Sequence, residues 1–116
     1  MDKEDVIIKF KIFNKPAIII KRDGIIMGKI FVNWDEISDY SVVKTRNKEF
    51  VLLFVDEPQR LIDEANGFAK WRMKFNMQIY KTPIRISIIY LQASLNELKE
   101  AILEGMKNHA LSKRDK

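Results

Sequence analysis

A chain of 116 residues, 47% hydrophobic and 32% charged, has the length of one domain and the composition of a folded one. It contains no cysteine, which excludes disulfides, thiolate metal sites and a cysteine nucleophile and suits a reducing cytoplasm. The net charge of +5 invites an acidic partner, yet Lys107, Lys113, Arg114 and Lys116 against Asp115 hold three of those five charges near the C-terminus.

The acidic start, with Asp2, Glu4 and Asp5, is unlike a secretory signal, and the longest apolar run, Phe50 to Val55, is far too short to span a bilayer. A soluble, cytoplasmic chain is expected, with one domain over residues 1–110 and a basic tail over 111–116.

Val6, Ile8, Phe10 and Ile12 alternate with Lys9 and Lys11, the period of a half-buried strand. A second β-rich run follows from Ala17 to Lys21, and Asp23-Gly24 signals a tight turn. A third strand is predicted from Ile25 to Val32, with Gly28 as a bulge or bend within it. Trp34 and Ile37, three apart, suggest one helical turn with both side chains inward. Tyr40, Val42 and Val43 suggest a further strand, which turns at Asn47-Lys48 into Glu49–Val55. That last run is apolar on both faces and requires a cover on each.

Pro58 suits a helix's first turn, and Leu61, Ile62, Ala65, Phe68 and Ala69 recur at helical spacing, so an additional helical segment is predicted near residues 58–75. Gly67 and Arg72 within it imply a kink, an early end or a partner for the guanidinium. After Lys81-Thr82-Pro83, which stops the preceding element, Ile84 to Tyr90 alternates as a final strand. Ser94-Leu95-Asn96-Glu97 matches a capping box. The helix after it aligns Leu95, Leu98, Ala101, Ile102, Gly105 and Met106 on one side.

Several β-runs closed by one amphipathic helix is an order similar to that of pleckstrin-homology-like (PH-like) domains. The run from Gly28 through Trp34 to Ile37 resembles the I-x-W-x-x-I segment of bacterial PH-like domains. Thr82-Pro83-Ile84-Arg85-Ile86, with Leu91, Ser94, Leu98 and Ile102, resembles the ending of a group of small uncharacterised members. The likeness spans about residues 17–106 and departs from the pattern at Lys81, where glycine is expected, and over 58–75, where a simple barrel has a hairpin. It implies an α+β fold: a PH-like antiparallel barrel or strongly bent sheet closed by the C-terminal helix. It also implies a binding or scaffolding module, not an enzyme, with no cofactor.

The chemistry-bearing residues agree with that expectation. The lone histidine, His109, falls at or beyond the end of the last helix, a capping position. The pairs Asp35/Glu36, Asp56/Glu57 and Asp63/Glu64 are sequence neighbours and point in different directions, so none is a dyad by itself. Asp63 and Glu64 are placed near a helix start. The four glycines fit no phosphate-binding loop, and no metal-ligand cluster is apparent.

Two binding surfaces stand out. Phe68, Trp71 and Phe75, edged by Lys70 and Lys74, form an aromatic stripe that either covers the Phe50–Val55 strand or contacts a partner. Lys9, Lys11, Lys15, Lys21 and Arg22 form either a solvated face or an anion site. The leading expectation is protein binding or self-association through Phe68, Trp71, Lys74 and Phe75. The alternative is peripheral binding to anionic lipid or nucleic acid through the basic residues.

Overall fold

The computed structural model describes residues 6–89 and 91–114, the last two of these by backbone alone. The acidic start, Tyr90 and the tail side chains from Lys113 onward therefore lie outside the described residues.

Among the described residues seven strands and three α-helices follow in order: β1 Val6–Ile12, β2 Lys15–Lys21, β3 Gly24–Met27, β4 Ile30–Asn33, β5 Ile37–Lys44, β6 Glu49–Val55, α1 Pro58–Glu64, α2 Gly67–Tyr80, β7 Ile84–Ser87 and α3 Leu95–Arg114. The fold is α+β, with antiparallel sheets of order β1-β2-β3-β4 and β5-β6-β7. No ladder joins the two sheets among the described residues, so no closed barrel is found. The chain leaves β4 through a 3-10 turn at Trp34–Glu36, and the second sheet begins afresh where Ile37 pairs with Val55. Two compact units result: one from the residues up to Trp34 with those from Ile88 onward, the other Asp35–Ser87.

The first unit is a four-strand meander with α3 against β2. Phe10, Ile18, Ile20, Ile25 and Val32 are buried from the strands, and Leu98 and Ile102 from α3. Trp34 is core, as its spacing to Ile37 suggested, and its Nε1–H donates to the Lys21 carbonyl at 3.1 Å. The simple alternation expected of β1 fails. Its pairing with β2 shifts between Val6 and Ile8 and again between Phe10 and Lys11, leaving Ile8 40% exposed while Phe10 is buried. Residues 25–32 are two strands rather than one. Gly28, at φ +66°, and Lys29 make a hairpin turn that sets Met27 opposite Ile30.

Ser94 caps α3: its Oγ accepts from the Glu97 amide at 3.1 Å, and its hydroxyl donates to the Glu97 carboxylate at 3.3 Å. The helix runs on through Arg114, so His109 lies inside it rather than at its end.

In the second unit β6 buries Phe50, Val51, Leu52 and Leu53, confirming a strand covered on both faces. The helical segment predicted over 58–75 is two helices. Ala65 is extended and Gly67 stands at φ +57°, which breaks the chain between α1 and α2. Of the three outcomes open at Gly67 and Arg72, the break falls at the glycine. Arg72 continues the helix with its guanidinium 5.6 Å from the Phe68 ring centre. Beyond Phe75, α2 gains another turn and ends at Tyr80, where Lys81 adopts the left-handed C-cap at φ +66° and donates its N–H to the Met77 carbonyl at 3.1 Å. That conformation accounts for the glycine expected there. Buried Thr82 then ties the segment down, its hydroxyl donating to the Leu53 carbonyl and accepting from the Ile84 amide.

Candidate functional site

α2 carries two apolar stripes. One holds Ala69, Met73, Met77 and Tyr80. Met73 is buried, and the Tyr80 ring meets Phe50 edge-on with centres 5.3 Å apart. Arg85 lies over both rings, 4.5 Å from Phe50 and 5.6 Å from Tyr80, which accounts for a buried Nε without a hydrogen-bond partner among the described residues.

The other stripe is Phe68, Trp71, Phe75 and Ile79, and it faces outward. These side chains are 70%, 59%, 49% and 52% exposed. The expectation that the aromatics cover β6 is therefore corrected. At about 100° per residue the two stripes lie roughly 150° apart around the helix, so turning the Met73 stripe inward leaves the aromatic one outside.

Within the outer stripe Trp71 sits between its neighbours, with ring centres 5.6 Å from Phe68 and 5.8 Å from Phe75 and planes inclined by 24° and 17°. The three rings form one stacked ridge whose edges project from the helix. Lys74 is exposed beside it, Lys70 is half-buried, and Gly67 to Tyr80 contains no carboxylate. Ile79 was missed in the sequence because the helix was expected to stop at Phe75. Its spacing of four from Phe75 was the available signal.

The five basic residues of the first strands do not converge. Lys9, Lys11, Lys15 and Arg22 are exposed, but Lys21 is buried, with its ammonium 5.6 Å from the Phe31 ring centre and 3.9 Å from Asp23. Lys15 and Arg22 stand at opposite ends of β2, separated by roughly 20 Å of strand. At the β1–β2 turn Lys11 stands opposite Pro16 and Lys15 opposite Ile12, so the two lysines leave from opposite faces of the ladder; between them Phe13, 76% exposed, and Asn14 both take positive φ.

The acidic pairs form no dyad. Glu36 and Glu64 both bind Arg60, the latter at 3.0 and 3.1 Å, and Asp63 accepts from Gln59 at 2.8 Å. Partial burial disfavours the Arg60 charge, but the two carboxylates outweigh it and hold its pKa above the usual arginine value. Asp63 and Glu64 lie in the last turn of α1, not near a helix start, so the helix dipole does not favour them there. Among the described residues no group of three His, Asp or Glu side chains could hold a metal ion, and no helix is long and apolar enough to cross a membrane.

One concavity is notable in the first unit, a groove of about 500 Å³ between β1–β2 and α3. Ile7, Ile8 and Ile20 line its strand side, and Glu97, Glu100 and Glu104 line its helix side. The glutamates recur at spacings of three and four, a periodicity that in sequence reads only as one solvated helix face. Compared with protein-family models, curated proteins and solved structures, the chain matches none.

Proposed function

We propose that the chain is a PH-like interaction module, working in the cytoplasm, that binds a protein partner through the outer face of α2. The observation that carries this reading is the exposed ridge of Phe68, Trp71, Phe75 and Ile79. Apolar rings ordered against one another and held out of the core are the residue types that anchor protein interfaces. Lys74 and its neighbouring cations favour a partner with acidic groups around an apolar centre. Base stacking fits less well, because Phe68 and Phe75 stack against Trp71 and limit access to its ring faces. Seven strands in antiparallel sheets of four and three, followed by a C-terminal helix, support the PH-like assignment.

The test is capture from lysate with nuclease and a stepped salt wash, comparing the parent with Trp71→Ala/Phe75→Ala. Any captured protein is then purified and its binding measured directly. A partner held through high salt by the parent and lost by the variant supports the reading. Recovery only of lipid or nucleic acid, equally by both and lost in salt, overturns it.

A second reading draws on the β1–β2 turn, where exposed Lys11 and Lys15 flank Phe13 and Lys9 lies nearby on β1. That edge suits an anionic lipid surface, and binding there would weaken steeply with salt.

A further inference from the structure

The two prominent surface features of this chain are opposite in charge and in shape. The α2 ridge is convex and aromatic, accompanied by Lys70, Arg72 and Lys74 without a single acidic residue from Gly67 to Tyr80. The groove of the first unit is concave and apolar, with Glu97, Glu100 and Glu104 along it and no lysine or arginine among the described residues of its lining. Ile7 and Ile8 are 54% and 40% exposed there.

We infer that the ridge of one copy seats in the groove of a second copy, head to tail. This rests on the reading of α2 as a contact surface and names its occupant. The rings gain apolar cover from exposed Ile7 and Ile8, while the cations of α2 meet the glutamates of α3. Pairing ridge to ridge instead would bring six cations together around the rings with no α2 carboxylate between them, an arrangement that like-charge repulsion opposes. A head-to-tail contact leaves one ridge and one groove unfilled at the ends of every open assembly, so association continues until a ring closes.

Sedimentation velocity of the full chain tests this, from dilute solution to on the order of 100 μM. The parent should gain mass with concentration and lose it with added salt. Trp71→Ala/Phe75→Ala, which removes the ridge, and Glu100→Lys/Glu104→Lys, which reverses the groove, should each weaken association at least about tenfold. The informative sample is their equimolar mixture. Each variant keeps the half the other lacks, so the mixture should recover a dimer and nothing larger. Should the ring-deleted variant fail to fold by circular dichroism, Lys70→Glu/Lys74→Glu replaces it, and its reversed charges should pair with the reversed groove.

A parent that stays monomeric, a groove variant that associates like the parent, or a mixture that stays monomeric overturns the inference. A monomeric parent that still holds a captured protein through Trp71 and Phe75 sinks self-association alone. Loss of both sinks the reading of α2 itself.

Discussion

Replacing Gly105 by alanine sets two physical effects against each other in one side chain. Glycine within a helix costs about 1 kcal/mol relative to alanine, so propensity alone says that Gly105→Ala stabilises α3. The surroundings say otherwise. A Cβ at this position would stand 2.3 Å from Cζ2 of Trp34, 2.8 Å from Cη2 and 2.9 Å from Cε2. Trp34 is 3% exposed and anchored through Nε1 to the Lys21 carbonyl, so the ring must move by more than 1 Å, or the helix must back away.

Overpacking of this kind costs about 1–3 kcal/mol, and loss of the indole hydrogen bond adds about 1 kcal/mol. Set against the propensity gain, the net expectation is destabilisation by about 2 kcal/mol, or roughly 8 °C in Tm. Urea unfolding followed by far-ultraviolet circular dichroism measures it. The companion Trp34→Phe removes the atoms that clash, so on that background Gly105→Ala should stabilise by about 1 kcal/mol through propensity, with a coupling of about 3 kcal/mol. Stabilisation by Gly105→Ala with Trp34 in place would refute the steric reasoning and return the decision to helix propensity.

Three further outcomes are expected. Lys81→Gly relieves a left-handed residue whose side chain is exposed, and should stabilise by about 0.5–1 kcal/mol in urea titration, with a lower midpoint contradicting the cap geometry. Thr82→Val keeps the shape of a buried side chain but orphans the Leu53 carbonyl and Ile84 amide contacts; it should cost about 2 kcal/mol, against about 1 kcal/mol for Thr82→Ser, and the reverse order would show that the methyl matters more than the hydroxyl. Trp71→Ala/Phe75→Ala should alter stability by no more than about 1 kcal/mol, because both rings are largely exposed; a loss of several kcal/mol would make the ridge part of the fold's support.

Much of the architecture was legible because it is local. The doubly apolar β6 and the Ser94–Glu97 cap are written within a few residues and appear in the structure, and of the strand expected from Ile84 to Tyr90 the first half, Ile84–Ser87, forms. The order of strands and helices follows from such segments. The limits of single elements were harder to read where backbone geometry intervened: the two shifts in β1, the Gly28 turn that divides one expected strand into two, and the break before Gly67.

What the sequence by itself determined was an α+β chain with a doubly covered strand, a capped C-terminal helix and an aromatic stripe on a basic helix. It could not decide which way that stripe faces. α2 has apolar residues on two nearly opposite faces, Met73 with Tyr80 and Trp71 with Phe75, and either satisfies helical periodicity. Only the tertiary structure chose, by fixing Tyr80 against Phe50 and burying Met73, which turns the Trp71 face outward. The same holds for the groove. Three glutamates on one helical face look like a solvated surface until β1 and β2 bring Ile7, Ile8 and Ile20 beside them. Periodicity records that a face is apolar or charged, whereas its orientation and its neighbours depend on contacts between residues far apart in the chain.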